Sequence, residues 1–309
     1  MTQVNVAPAA RVRKPSYRQA NTTPGEPNAP GTPPPVPSAN GQPPAAGEKP
    51  KTNWEAIREL LDKKLDAIAK VIPPTSPATA EGIVQNAIQQ IETSRESAKL
   101  KLSRPSTVLY SVLACAAAGL DFANDMAYLV AHAHNTNNNG TQVFEYWECR
   151  MWAGYRGLIN LAARVGYALD VQAVFEGETC TIKLGTDNEI EHIGGWATDV
   201  PIIGVYCIVR LKDTGVVRHI ERMGVSEIDA IAKLSRSPAW KTASRAEMAK
   251  KVVAKRGFKW IDKDSPEVTV LNEVERRNET DESLGDLVAE IVRKHQARIS
   301  DYPPANATE

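Results

Sequence analysis

Residues 106–119, STVLYSVLACAAAG, are almost wholly apolar over about four helical turns. A helix without a polar face cannot lie on a surface, so other elements must enclose it. The run therefore predicts a central core helix, capped by Ser106 and closed by Gly119.

The first fifty residues cannot help to enclose it. They hold twelve of the 21 prolines, in stretches such as TPPPVP and GQPPAAG, and bury too little to offset ordering entropy. Residues 1–52 are therefore read as a disordered arm. Folding begins near Asn53, an N-cap for the helical pattern WEAIRELLDKKLDAIAKVI. Prolines at 73, 74 and 77 end that helix, and another runs to about Lys101. From Met126 the period changes. MAYLVAHA and VFEYWECRMW alternate around NTNNNG and predict a β-hairpin. After the segment GYRGLINLAARVG come strand patterns in ALDVQAVFEG, TCTIKL, IEHIGG, IIGVYCIVRLK and GVVRHIER. Helical patterns return in SEIDAIAKL and TASRAEMAKKVVAKRGFKWI. The class is α+β, a mostly antiparallel sheet flanked by helices. The core is expected over 53–265, followed by an acidic tail over 266–309. In that tail, residues 283–299 carry Leu284, Leu287, Val288, Ile291 and Ile299 on one side, which suits a partner-docking helix.

Several function classes are disfavoured. No apolar run reaches a membrane span, and no apolar signal core follows Met1, so the expectation is a cytoplasmic protein with no membrane partner. Cys115, Cys149, Cys180 and Cys207 show no metal-ligand spacing, and three of the four sit in apolar surroundings. Lys plus Arg equals Asp plus Glu at 37 each, so any nucleic-acid surface must be a local patch. Phosphate-loop, nucleophile-elbow and dinucleotide motifs are absent, and no cofactor is implied.

Two basic constellations stand out. In GYRGLINLAARVG, Arg156, Asn160 and Arg164 fall within about 80° of one helix side, opposite Tyr155, Leu158, Ile159, Ala162 and Val165. Guanidinium groups bind phosphate oxygens in bidentate fashion, so the side can face phosphates; it also suits a plain solvated face. From Lys241 to Lys263 there are eight Lys/Arg against two acids. Glu247, Lys251 and Lys255 share one side with Lys250 nearby; Glu247 can pair with Lys251 but leaves the other lysines uncompensated. Trp152, Tyr155, Trp240, Phe258 and Trp260 interleave with these charges. Sequence-tolerant single-strand binders combine basic grooves with stacking rings, although at least half of these rings should be core. A rival reading is a metal-dependent nuclease using His132, His134 and nearby acids, but two imidazoles fall short of a catalytic zinc set. Acid pairs such as Asp170 and Glu176, or Glu176 and Glu178, are a weak general acid–base signal. A third reading is an assembly protein whose basic face binds an acidic partner.

The order of GLDFANDMAYLVAHA, GYRGLINLAARVG, IEHIGG, IGVYCIVRLKDTG, SPAW and AEMAKKVVAKRGFKW, over roughly residues 76–262, resembles the RecT family of phage single-strand DNA annealing proteins. The resemblance implies a non-enzymatic, ATP-independent protein that coats single-stranded DNA, pairs it with a complement and holds the nascent duplex. It also implies a homo-oligomeric ring or helical filament in the bacterial host cell, working with a phage exonuclease or a host single-strand binding protein. Carried onto this chain, it marks Tyr155 and Arg156, then Lys250, Lys251, Lys255 and Arg256. With Asn160, Arg164 and Lys241 from the charge pattern, these form the expected nucleic-acid-binding set. The chain departs from the family pattern at Gly177-Glu178-Thr179-Cys180 and at DFANDM.

Overall fold

A computed structural model describes residues 52–138, 141–185, 188–196, 199–235, 238–242, 244–261 and 265–300, with backbone alone at 137, 138, 141 and 295–300. The arm expected over 1–52 lies, apart from Thr52, outside the described residues.

The apolar run forms α5 (Pro105–Ala117), and every side chain from Ser111 to Ala117 is buried. Helices α1 (Asn53–Lys63), α2 (Leu65–Val71) and α3 (Ala80–Thr93) pack on it. Both expected caps move. Pro105 occupies the first helical turn, where its missing N–H costs nothing, so Arg104 is the cap residue and Ser106 lies inside α5. At α1 the cap is Thr52, because Glu55 three residues on completes a capping box; Asn53 donates instead to the Leu102 carbonyl at 3.0 Å. The long helix expected to reach Lys101 breaks after Thr93 and resumes as α4 (Ser97–Lys101).

Three antiparallel sheets follow among the described residues. Strands β1 (Ala127–Asn138) and β2 (Thr141–Ala153) form the predicted hairpin; Asn139 and Gly140, within the expected loop, lie outside the described residues. After α6 (Tyr155–Arg164) comes β3 (Tyr167–Phe175), which pairs with β6 (Ile202–Leu211), and β6 with β7 (Val217–Gly224). The small hairpin of β4 (Thr179–Lys183) and β5 (Glu189–Ile193) covers Val174, Tyr206, Ile208 and Ile220 with Cys180, Ile182 and Ile190. Helix α8 (Arg245–Phe258), reached through α7 (Val225–Leu234), packs on the three-stranded sheet. There Gly257 is required by contact: a Cβ at that position would lie 2.5 Å from Cys207 Sγ.

The sequence division at residue 265 is corrected. Ser265-Pro266 starts a helix unforeseen in the sequence, α9 (Pro266–Thr280), which buries Val268, Leu271 and Val274. Helix α10 (Gly285–Ser300) follows. Leu284, Leu287, Val288 and Ile291, expected to face a partner, are instead buried, with α10 against α5 and α2. An all-apolar α5 needs cover on every side, and α9 and α10 supply part of it. The Ile299 side chain lies outside the described residues.

Both edges of the hairpin base are closed by side chains rather than by further strands. Gln90 donates to the Ala127 carbonyl at 3.1 Å and accepts the Leu129 N–H at 2.6 Å, while Glu96 accepts the Ala131 N–H at 3.2 Å. On β2, Thr107 accepts the Cys149 N–H at 3.0 Å, and Ser111 donates to its carbonyl at 3.0 Å. Asn278 donates to the Met151 carbonyl at 2.7 Å, and Glu275 accepts the Ala153 N–H at 3.3 Å. Buried backbone groups need partners, and these amides, carboxylates and hydroxyls take the place of neighbouring strands.

Candidate nucleic-acid interface

The glycines of GYRG seat the helix that follows β2. Gly154 caps α6 and donates to the Met126 carbonyl at 2.8 Å. A Cβ at Gly154 or Gly157 would collide with the backbone carbonyls of Asp125 and Met126. Only glycine lets the first turn of α6 lean on the short 3-10 turn Ala123–Asp125.

This close approach assembles a group at the start of α6. Arg156 is exposed, with Asp125 Oδ2 3.9 Å from its guanidinium. A hydrogen bond with Tyr155, helped by Asp125, holds its pKa above the ordinary value. Burial and the Asp125 carboxylate push the Tyr128 phenol up to about 12, so it remains a neutral donor. The Lys251 ammonium of α8 lies 6.0 Å from the Tyr128 ring centroid. Tyr128 pairs across the hairpin with Trp152, and Lys255 sits 4.9 Å from the Trp152 ring. The two basic constellations therefore meet at the Tyr128–Trp152 pair. Aromatic faces beside cations can stack bases and neutralise phosphates together.

The same hairpin face continues with His132, which stacks on Trp152 at 6.2 Å between centroids, and His134, which stacks on Tyr146 at 4.5 Å. Arg104 covers Tyr146 at 3.7 Å. Burial first, and then the Arg150 cation, lower the His132 pKa, so the ring is neutral at neutral pH. Between the rings, Arg150 is buried and bridges Glu148 at 2.8 Å and Asp281 at 2.7 Å. Among the described residues, no group of three or more His, Cys, Asp or Glu is arranged to hold a metal ion.

The remaining expected residues separate. Arg164, eight residues along α6, lies about 12 Å from Arg156 along the axis. Its guanidinium covers Gly119 and donates to the Ala118 carbonyl at 3.4 Å, and burial lowers its pKa; it braces the end of α5. Asn160 is exposed midway, and Lys241 is exposed on the 3-10 turn Pro238–Lys241, ahead of α8. Glu247 pairs with Lys250 at 2.9 Å rather than with Lys251, which it could also reach by sequence spacing, while Arg256 pairs with Glu227 at 2.5 Å. Lys255, expected to be uncompensated, pairs with Glu275 at 2.5 Å. Of the interleaved aromatics, Trp240 and Phe258 are core, and exposed Trp260 stacks on His219 at 3.9 Å. The acids divide likewise: Asp170 pairs with Arg210, and Glu178 meets His192 at 3.1 Å.

Tyr128 escaped the sequence reading. Its i, i+2, i+4, i+6 relation to Val130, His132 and His134 is visible, but the register that sets it opposite Trp152 is not.

A model of the RecT family matches residues 81–284, beyond the quoted motifs and through α9. Protein RecT of Escherichia coli (strain K12) is 28% identical over 188 residues, which is 59% of this chain. The match spans 66% of that relative, just under two thirds of its length. Among the described residues, no helix is long and apolar enough to cross a membrane.

Proposed function

The chain belongs to the RecT family, and from that premise we propose that it acts in DNA recombination, binding single-stranded DNA and annealing complementary strands without ATP. The observation that carries this reading is the meeting of Arg156 and Lys251 at the Tyr128–Trp152 pair. Arg156 and Lys251 take phosphates first, because neither is held by a carboxylate closer than 3.9 Å among the described residues. Tyr128, Tyr155 and Trp152 offer ring faces or edges to the bases. Asn160 and Lys241 flank the path, while Lys250, Arg256 and Arg164 support it through their protein contacts.

Annealing needs no nucleotide hydrolysis on this account. Two bare strands repel, and cations remove that barrier by replacing condensed counterions. Pairing then proceeds downhill by about 1.4 kcal/mol per base-pair step. One protomer holds only a few nucleotides, so copies arrayed head to tail as a ring or open helix multiply the contacts on the nascent duplex. The setting we propose is phage recombination in the bacterial cytoplasm, with an exonuclease or a host single-strand binding protein as partner, and no catalytic chemistry by this chain.

The test mixes two complementary oligonucleotides with the protein, without ATP, and follows duplex formation while salt is varied. Arg156→Ala with Lys251→Ala should slow annealing and flatten the log–log salt slope of single-strand binding by about 1.4, near 0.7 per phosphate contact. An unchanged slope in a normally folded double variant would remove this interface from the reading.

A further inference from the structure

Lys255 differs from Lys251, although the two lie four residues apart on one side of α8. Lys255 Nζ lies 2.5 Å from Glu275 Oε2 of α9, while Glu275 Oε1 accepts the Ala153 N–H at 3.3 Å. Only 16% of the Glu275 side chain is exposed, so this pair is partly shielded from water. A phosphate arriving over Trp152 meets a carboxylate already on its cation. In such surroundings two anions repel more strongly than in bulk water. The competitor also cannot diffuse away: α9 is fixed to β2 through Asn278, whose amide donates to Met151 O, and Ala153 N–H anchors Glu275 itself. Its local concentration is therefore set by the fold.

Resting on the reading above, we propose that Glu275 is an internal counter-ion that competes with DNA phosphate for Lys255 and so limits how tightly a single strand is held. Annealing requires strands that are retained yet able to shift register until their bases match. Arg156 and Lys251 supply retention. Exchange of Lys255 between Glu275 and phosphate supplies a contact that breaks easily, because a replacement anion is always in place.

The experiment uses the full chain and a dT oligonucleotide. Glu275→Gln keeps an oxygen for the Ala153 N–H and removes only the charge. Its affinity should rise on the order of fivefold, and its salt slope should steepen by about 0.7 as Lys255 begins to release a counterion on binding. Lys255→Met alone should change affinity less than Lys251→Met, and Lys255→Met added to Glu275→Gln should cancel the gain. Unchanged or weaker binding by Glu275→Gln, with normal melting, would overturn the proposal and make Glu275 a positioning residue. If Glu275→Gln melts early, Lys255→Met decides: a loss as large as that of Lys251→Met overturns the competition. Wild-type protein that fails to bind the oligonucleotide would instead defeat the DNA-binding reading itself.

Discussion

Gly157→Ala separates helix propensity from packing, because the two predict opposite signs. In an isolated helix alanine is favoured over glycine by about 1 kcal/mol. Gly157, however, lies in the first turn of α6, and a Cβ there would overlap the Met126 carbonyl oxygen and lie 3.0 Å from Met126 C and 3.2 Å from its Cα. The obstacle is backbone, so no rotamer change relieves it. Overpacking of this kind costs about 1–3 kcal/mol. The same carbonyl accepts the Gly154 N–H at 2.8 Å, and displacing it loses about 1 kcal/mol more. Set against the propensity gain, the net loss is about 2 kcal/mol, or roughly 4–8 °C in Tm for a body of this size.

The assay is urea and thermal unfolding followed by circular dichroism at 222 nm. Gly82→Ala is the control: it also lies in the first turn of a helix, but its Cβ would meet only the Thr79 hydroxyl, at 3.1 Å. That variant should remain within about 1 kcal/mol of wild type. A Gly157→Ala protein as stable as Gly82→Ala would refute the claim that GYRG is a packing motif. Because Arg156 precedes Gly157, single-strand affinity should fall in parallel.

Truncation after residue 265 should give an insoluble or unfolded chain, seen by circular dichroism and light scattering, since it uncovers α5 and removes Asn278 and Glu275 from the β2 edge. Arg150→Met should cost about 3 kcal/mol or more in urea unfolding, because Glu148 stays buried without its cation; adding Glu148→Gln should recover much of the loss. The hydrogen bond from Arg276 first, and then that from Arg277, hold the Glu273 carboxyl at about 2. Its folded pKa is depressed, so its stabilising contribution is complete above the unfolded carboxylate range near 4.3 and is lost as pH falls toward about 2. Glu273→Gln should flatten that part of the stability–pH curve.

Local pattern determined much of this protein. The apolar run at 106–119 had to become an enclosed helix, alternation at 126–152 had to become a hairpin, and glycines around Arg156 marked an unusual helix start. Those properties depend on neighbours within a few residues, where period and sterics act directly. Helix α9 left a fainter mark. Ser265-Pro266 and the spacing of Val268, Leu271 and Val274 signal a helix, but the surrounding acids gave it the look of a solvated tail. Helix α10 showed its apolar side plainly, yet amphipathicity says that a face needs cover without saying whether a partner or α5 supplies it.

Charge pairing was the least legible feature. Glu247 can reach Lys250 or Lys251, and side-chain geometry chose Lys250. Lys255 and Glu275 are twenty residues apart, and Arg256 and Glu227 twenty-nine; no helical period links them. Arg164 shares a helix side with Arg156, but the nearby α5 terminus turns its guanidinium inward. Residue type sets which charges exist, whereas their availability to phosphate depends on which carboxylates and carbonyls the fold brings within a few ångströms. Only the tertiary structure decides that, because Coulomb interactions follow distance in space rather than along the chain.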